Sequence, residues 1–329
     1  MNSGNNGSRF FKYGLIVLFS LIFIVSAFLL LKIWEESQSY YPSSIVKEDV
    51  IKHNGIEYVL KENVETFLVI GLDKFEGESS SDSYVNDKQA DFLLLLVFDH
   101  DAEICSAIQI NRDTMTNVNV LGVNGNKIYS IEKQIALAHT YGNGRDVSCR
   151  NTADAVSELL GVKVNHYISM TMDAVAVIND MLGGVTVEVL DDFSGIDDEL
   201  IKGEIVTLKG EQALTYVRSR YGLDDSSNSN RMNRQRQYMN AVYEQMQVLS
   251  EEFDDIIVES TLKISDYIVS DRSINQLQDL ATKFKEYSFT DIYSFDGEFE
   301  IGKFMEFYPN KDSIKDLVVN LFYEPKNSQ

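Results

Sequence analysis

The sequence predicts an α/β fold behind a single membrane-spanning helix. Three observations carry this. Residues 13–31 form an uncharged, apolar run long enough to cross a bilayer. Beyond it, short apolar runs of strand length alternate with amphipathic stretches of helix length. Over 329 residues, 44% are hydrophobic and 24% charged, which excludes disorder as the main state.

The first element is the apolar run. Nineteen residues, 13–31, span about 28 Å as a helix, close to the hydrocarbon thickness of a bilayer. Arg9 and Lys12 precede it, and Lys32, Glu35 and Glu36 follow. The basic side favours a cytoplasmic N-terminus. Phe10, Phe11, Tyr13 and Trp34 suit interfacial anchors. A cleaved signal peptide would have a shorter core ending at small residues, whereas this one continues as Lys-Ile-Trp-Glu-Glu. The expected division is a cytoplasmic tail at 1–12, the span at 13–31, a stalk at 32–60, and one extracellular domain at 61–329.

Within that domain, 66–72 (TFLVIGL), 92–98 (FLLLLVF), 104–110 (ICSAIQI) and 185–189 read as strands. The polar, Ser-rich stretch 76–90 reads as a surface loop. Amphipathic spacing predicts helices over 131–139, 152–160 (stopped by Gly161), 173–182 (stopped by Gly183-Gly184) and 231–249. The run 213–220 (ALTYVRSR) reads as extended. The tail adds helical stretches at 273–285 and 311–321 among short extended pieces, and no Pro-rich linker divides it from the rest.

Charge narrows the function. The chain holds 29 Lys+Arg against 51 Asp+Glu, a net charge of −22, so phosphates of nucleic acid would be repelled. Two cysteines and four histidines are too few for a disulfide scaffold or a Cys/His zinc module. Cys105 and Cys149 are bonded or free with equal weight, and His139 reads as structural.

Two clusters stand out. The strands 92–98 and 104–110 are joined so closely that they must pair antiparallel. The start of the first then lies beside the end of the second, and Asp91 falls near Arg112 and Asp113. Paired carboxylates there suit a hard cation or acid/base work; the alternative is ordinary solvated strand ends.

The second cluster is richer. Of ten arginines, five lie in residues 218–236. Arg231, Arg234, Gln235 and Tyr238 fall at i, i+3, i+4 and i+7, and Val242, Met246 and Leu249 continue that stripe. The arginines thus occupy the face that is apolar one turn later, and they stand at a helix N-terminus, where the macrodipole favours anions. A bound phosphate or pyrophosphate resolves both oddities. The competing explanation is salt bridges to nearby acids such as Asp224 and Asp225.

Taken in order, VIGLD (69–73), QADFLLLLVF (89–98), INRDT (110–114), AHTYGNG (138–144), LKGEQALTYVRSR (208–220) and NRMNRQRQ (230–237) resemble the LytR-CpsA-Psr family of Gram-positive cell-wall proteins. The resemblance covers about residues 65–250. It implies an α/β domain with a central mixed sheet flanked by helices and a pocket for a polyprenyl chain. It further implies Mg2+-dependent transfer of a polyprenyl-pyrophosphate-linked glycopolymer (wall teichoic acid, capsule or another polysaccharide) to peptidoglycan, with no nucleic-acid partner. By the same resemblance, Asp91 and Asp113 would hold Mg2+, or one would deprotonate the acceptor hydroxyl. Arg112, Arg218, Arg220, Arg231, Arg234 and Gln235 would engage the pyrophosphate. Asp73, Asp224 and Asp225 are further candidates.

The chain departs from the family pattern at Gln89 and Ala90, where arginine and serine are usual, and at Asn228-Ser229-Asn230, where an aspartate is usual. Arg236 or Arg145 would have to supply the missing charge. These losses keep two other functions open, a non-catalytic envelope regulator that binds the pyrophosphate lipid and a pyrophosphatase.

Overall fold

The computed structural model describes residues 49–73, 87–220, 222–223, 227–249 and 263–326. The proposed span at 13–31, and Asp224 and Asp225, lie outside the described residues. Among those described, no helix is long and apolar enough to cross a membrane.

The described chain opens with a hairpin, β1 (Val50–His53) and β2 (Ile56–Leu60). Its turn is Asn54-Gly55, both at positive φ (48° and 83°), a pair suited to two-residue hairpins. β2 also pairs with a strand near the C-terminus, so residues 50–60 fold with the domain and are not stalk, as their position had suggested.

The central sheet uses the three apolar runs. β3 (Val64–Leu72), β4 (Phe92–Asp99) and β5 (Ile104–Ile110) lie side by side, antiparallel. The Asp99 carboxylate closes the β4–β5 turn by accepting from the backbone N–H of Asp101 (3.2 Å) and Ala102 (3.0 Å). The next hairpin, β6 (Met115–Leu121) and β7 (Lys127–Gln134), runs into a 3-10 turn over Ile135–Thr140. This corrects the helix expected at 131–139. Its residues favour helix locally, but pairing of Met115 with Gln134 and Val118 with Ile131 overrides that preference.

Helix α1 (Asp146–Leu160) ends at Gly161 in the left-handed conformation. β8 (His166–Thr171) then joins the sheet parallel to β3. α2 (Asp173–Met181) leads to the hairpin of β9 (Val185–Glu188) and β10 (Ile205–Leu208). Gly184 makes this approach feasible: its φ is 98°, and a Cβ there would sit 2.8 Å from the Leu208 carbonyl oxygen.

The run 213–220 is helical up to Arg218, not extended. α3 (Glu211–Arg218) buries Ala213, Tyr216 and Val217, an i, i+3, i+4 set. Only Ser219 at its end is extended. α4 (Asn228–Val248) follows, capped by the Ser227 side chain accepting from Asn230 N–H.

β11 (Ile268–Ser270), α5 (Ile274–Glu286) and β12 (Ser288–Tyr293) complete the mixed sheet, in the order β11-β8-β3-β4-β5-β12. The hairpin β13 (Gly297–Ile301) and β14 (Met305–Pro309), α6 (Lys311–Phe322) and β15 (Tyr323–Pro325) end the chain.

Alternation along β4 explains the layers. Leu93 and Leu95 pack with Ala153 and Val156 of α1 and Leu317 of α6 on one face. Leu94 packs with Met239 of α4 on the other. A strand buried on both faces must be apolar at every position, which is why FLLLLVF shows no polar alternation.

Candidate active site

Strand register builds the first half of the site. Leu93 pairs with Ile110, so two residues further out Asp91 stands opposite Arg112. The Arg112 guanidinium donates to the Asp91 carboxylate through Nη1 and to the Gln89 side-chain amide oxygen Oε1 through Nη2. Its Nε lies 3.7 Å from Asp113 Oδ1. One guanidinium therefore touches both carboxylates. Asp113 is buried, accepts from Gln134 Nε2 at 3.2 Å, and is bonded through its N–H to Asn111 Oδ1 at 2.9 Å. Burial raises its carboxyl above the usual range, against the pull of Arg112, Arg220 and Arg231.

The second half comes from α3 and α4. Arg218 is 53% exposed and reaches Asp73, past the end of β3, at 3.1 Å. Arg231 is only 5% exposed. It donates through Nη2 to Asn228 Oδ1 (2.6 Å) and to the Asp91 carbonyl oxygen (3.3 Å), while its buried Nε meets no acceptor. Among the described residues, no carboxylate is among its hydrogen-bond acceptors. Burial, then the neighbouring charges of Arg220 and Arg112, pull its pKa down to about 10. The fold thus holds a cation in a place that disfavours cations, which is an arrangement an incoming anion relieves.

Asp73, Gln89, Asp91, Arg112, Arg218, Arg220 and Arg231 line one cavity of about 650 Å³, whereas Asp113 is buried behind Arg112 and is not on its wall. Among the described residues, five cations border it (Lys88, Arg112, Arg218, Arg220, Arg231) against three carboxylates (Asp73, Asp87, Asp91), a local excess of two positive charges in a chain of net −22. Met172 at this cavity's wall also lines a second, apolar cavity of about 210 Å³. That one lies between the sheet (Val69, Phe92) and the helices (Val175, Ile178, Met239, Val242). Cation-lined and apolar space therefore adjoin.

The structure does not bring every expected residue here. Arg234 is fully buried, its fork filled by protein: Nε donates to Tyr216 O at 2.9 Å, and Nη1 and Nη2 bond the Asp191 carboxylate and Ser219 O. It does not line the charged cavity. Gln235 donates to Val217 O at 3.2 Å and borders the apolar cavity instead. Arg236 bonds Gln109 and Ser294 and is not on the charged cavity's wall, and neither is Arg145. His139 is structural: it is buried, its Nδ1 lies 3.0 Å from Lys88 O, and burial lowers its pKa to about 4. Cys105 and Cys149 are both buried and free.

Sequence reasoning missed Lys88, Asn111, Asn228 and Asp191. Asn228 was seen only as a lost carboxylate; it bridges Arg231 to Asn111, donating to Asn111 Oδ1 at 2.8 Å. Asp191 follows a strand in an acidic pair, Asp191-Asp192, which gives no local sign of a buried ion pair.

Among the described residues no cluster of three or more Asp, Glu, His or Cys is arranged to hold a metal alone. Mg2+ needs only one or two carboxylates when phosphate oxygens complete its shell. Asp91 on the wall of the cationic cavity, with Asp113 behind it across the Arg112 guanidinium, fits that requirement in chemistry.

Comparison with known proteins follows this geometry. Residues 29–315 match the model of the LytR_cpsA_psr family. A polyisoprenyl-teichoic acid–peptidoglycan teichoic acid transferase TagU of Halalkalibacterium halodurans is 30% identical over 180 residues, 55% of this chain and 52% of that protein. The Bacillus subtilis TagU is 27% identical over 211 residues, 64% of this chain and 61% of that one. The chain thus spans about half to three-fifths of the length of these relatives. In fold it is similar to TagT bound to LI-WTA (TM-score 0.60, 19% identity, covering 79% of this chain and 90% of that one). Bacillus subtilis TagV is similar too, with TM-score 0.59, 21% identity and coverage of 80% and 97%.

Proposed function

The chain belongs to the LytR_cpsA_psr family, and we propose that it transfers a polyprenyl-pyrophosphate-linked glycopolymer to peptidoglycan while anchored in the membrane through residues 13–31. The observation that carries this reading is the pairing of cavities, one lined by four arginines and one apolar, meeting at Met172. A lipid pyrophosphate has the same two parts. The names of the TagU relatives support a teichoic acid or similar polymer as cargo.

In this reading Arg112, Arg218, Arg220 and Arg231 bind the pyrophosphate. They also stabilise the charge that builds on the leaving prenyl phosphate. The acceptor sugar hydroxyl attacks the phosphorus on the glycopolymer side. One P–O bond forms, the bond to the bridging oxygen breaks, and that oxygen leaves with the prenyl phosphate. The hydroxyl proton passes to a carboxylate of the cavity, Asp73 or Asp91. Asp91 and Asp113 would hold Mg2+, whose chemistry when bound is to neutralise phosphate oxygens. Apolar side chains of α2 and α4 exclude water from the prenyl end.

The test uses the full chain in detergent, titrated with a polyprenyl pyrophosphate and assayed with lipid-linked glycopolymer and peptidoglycan. Transfer that requires Arg220 and Asp91 is expected. Binding and transfer unchanged in both Arg220→Ala and Asp91→Asn would overturn the assignment. Release of phosphate with no peptidoglycan product would mark a pyrophosphatase, and binding without turnover a regulator.

A further inference from the structure

Arg234 sits one turn beyond Arg231 on α4, yet it faces backbone rather than cavity. Its Nε and Nη2 take the carbonyl oxygens of Tyr216 and Ser219, and Gln235 beside it takes that of Val217. These oxygens belong to the last turn and the cap of α3, where carbonyls lack intrahelical partners. A cation there also complements the negative end of the helix dipole. Ser219 is extended (φ −59°, ψ 138°), and the residues on either side of it are Arg218 and Arg220.

Asp191 completes the frame. One carboxylate oxygen pairs with Arg234; the other accepts from Asn230 Nδ2 at 2.6 Å. Asn230 lies in the first turn of α4, immediately before Arg231. The Phe193 ring stands 5.6 Å from the Arg234 guanidinium and 5.6 Å from the Tyr216 ring, so the fork has little room to swing. The frame answers a physical need. Arg231 is buried, and after burial the charges of Arg220 and Arg112 further disfavour its cation, so these arginines repel one another. Left unheld, such arginines would turn apart toward water.

We propose that Arg234 and Asp191 are positioning residues, a buried strut that aims Arg218, Arg220 and Arg231 into one anion site by holding the carbonyl of Ser219 and the amide of Asn230. This rests on the proposed pyrophosphate site and deepens it. Arg234 touches no substrate; it acts through its neighbours.

The full chain, as Arg234→Lys and as Asp191→Asn, is titrated with geranylgeranyl pyrophosphate. Lysine keeps the charge and loses the fork. Each variant is expected to lower affinity about tenfold, and Arg234→Lys is expected to cost less in an Arg218→Ala/Arg220→Ala background, where only Arg231 is left to aim. Affinity unchanged in both variants overturns the proposal. So does the same fold-loss with and without Arg218 and Arg220, which would mark a merely structural role. If Arg234→Lys does not fold, Asp191→Asn, which keeps the side-chain shape, gives the same comparison. Hydrogen exchange of the 216–220 amides reads the strut without any ligand. Faster exchange in the variants, with α1 unchanged, is expected even if the wild type binds no pyrophosphate; unchanged exchange sinks the strut alone.

Discussion

Replacing Arg231 by methionine should leave the protein about as stable and make it less able to bind its ligand. The guanidinium is 5% exposed, and its pKa falls from 12.5 to about 10. At 1.36 kcal/mol per unit, holding the charge costs the fold on the order of 3 kcal/mol, in full at any pH below about 10. Methionine removes that cost but forfeits the guanidinium's bonds to Asn228 and to the Asp91 carbonyl, worth roughly 1.5 kcal/mol each for a charged donor. The two effects nearly cancel, so the melting temperature should move by no more than about 4 °C. Binding moves the other way. Loss of charge-assisted bonds to a phosphate should weaken pyrophosphate affinity by about ten- to a hundredfold. The assay is a thermal melt of the unliganded full chain beside a titration with polyprenyl pyrophosphate. A variant that melts lower yet binds normally would refute the reasoning, because Arg231 would then be an ordinary structural arginine.

Three further outcomes are expected. Arg218→Ala should leave stability within about 1 kcal/mol, since its pair with Asp73 is half-exposed, while lowering pyrophosphate affinity; a large fall in the melting point would contradict this. Gly184→Ala should destabilise by about 2–3 kcal/mol, because φ 98° and the Leu208 carbonyl at 2.8 Å both oppose a Cβ; urea midpoints measure it, and a neutral result would count against the β9–β10 approach. The third concerns pH. Burial raises Asp154 to about 7, so its contribution is present below about pH 4 and is lost as pH rises through 7. Burial lowers His139 to about 4, so its contribution is present above about pH 6.5 and is lost as pH falls through 4. The two oppose each other between those limits. Asp154→Asn should therefore raise stability at pH 8 by on the order of 2–4 kcal/mol and expose a steeper acid loss below pH 6.5. Denaturation midpoints equal to wild type at both pH 5 and pH 8 would show that Asp154 titrates normally.

Much of the site was legible because chain geometry constrains it. A four-residue connection forces β4 and β5 together, and that alone puts Asp91 beside Arg112. The stripe of Arg231, Arg234, Gln235 and Tyr238 was legible from helical spacing, and all four side chains are buried. Spacing shows that a face is buried, however, and not what it is buried against. Arg231 meets the cavity, while Arg234 meets the end of α3. The run 213–220 misled because Thr215 and Val217 suggest a strand, whereas the deciding contacts of Tyr216 are distant: its ring stacks on Phe193 and its hydroxyl bonds Gln237. Residues 131–139 misled for the reverse reason, a helical pattern captured by a strand partner at 115–121. The Asn54-Gly55 turn signal was present in the sequence, but its strands are completed only by β15, more than 260 residues away.

The most direct measurement is the crystal structure of the full chain, or of residues 47–329, with a bound polyprenyl pyrophosphate. Its phosphates are expected against Arg218, Arg220 and Arg231, with Arg234 still on Asp191 and the prenyl chain between the sheet and α2 and α4. Phosphates bound elsewhere, or a prenyl chain lying outside the apolar cavity, would contradict the central claim.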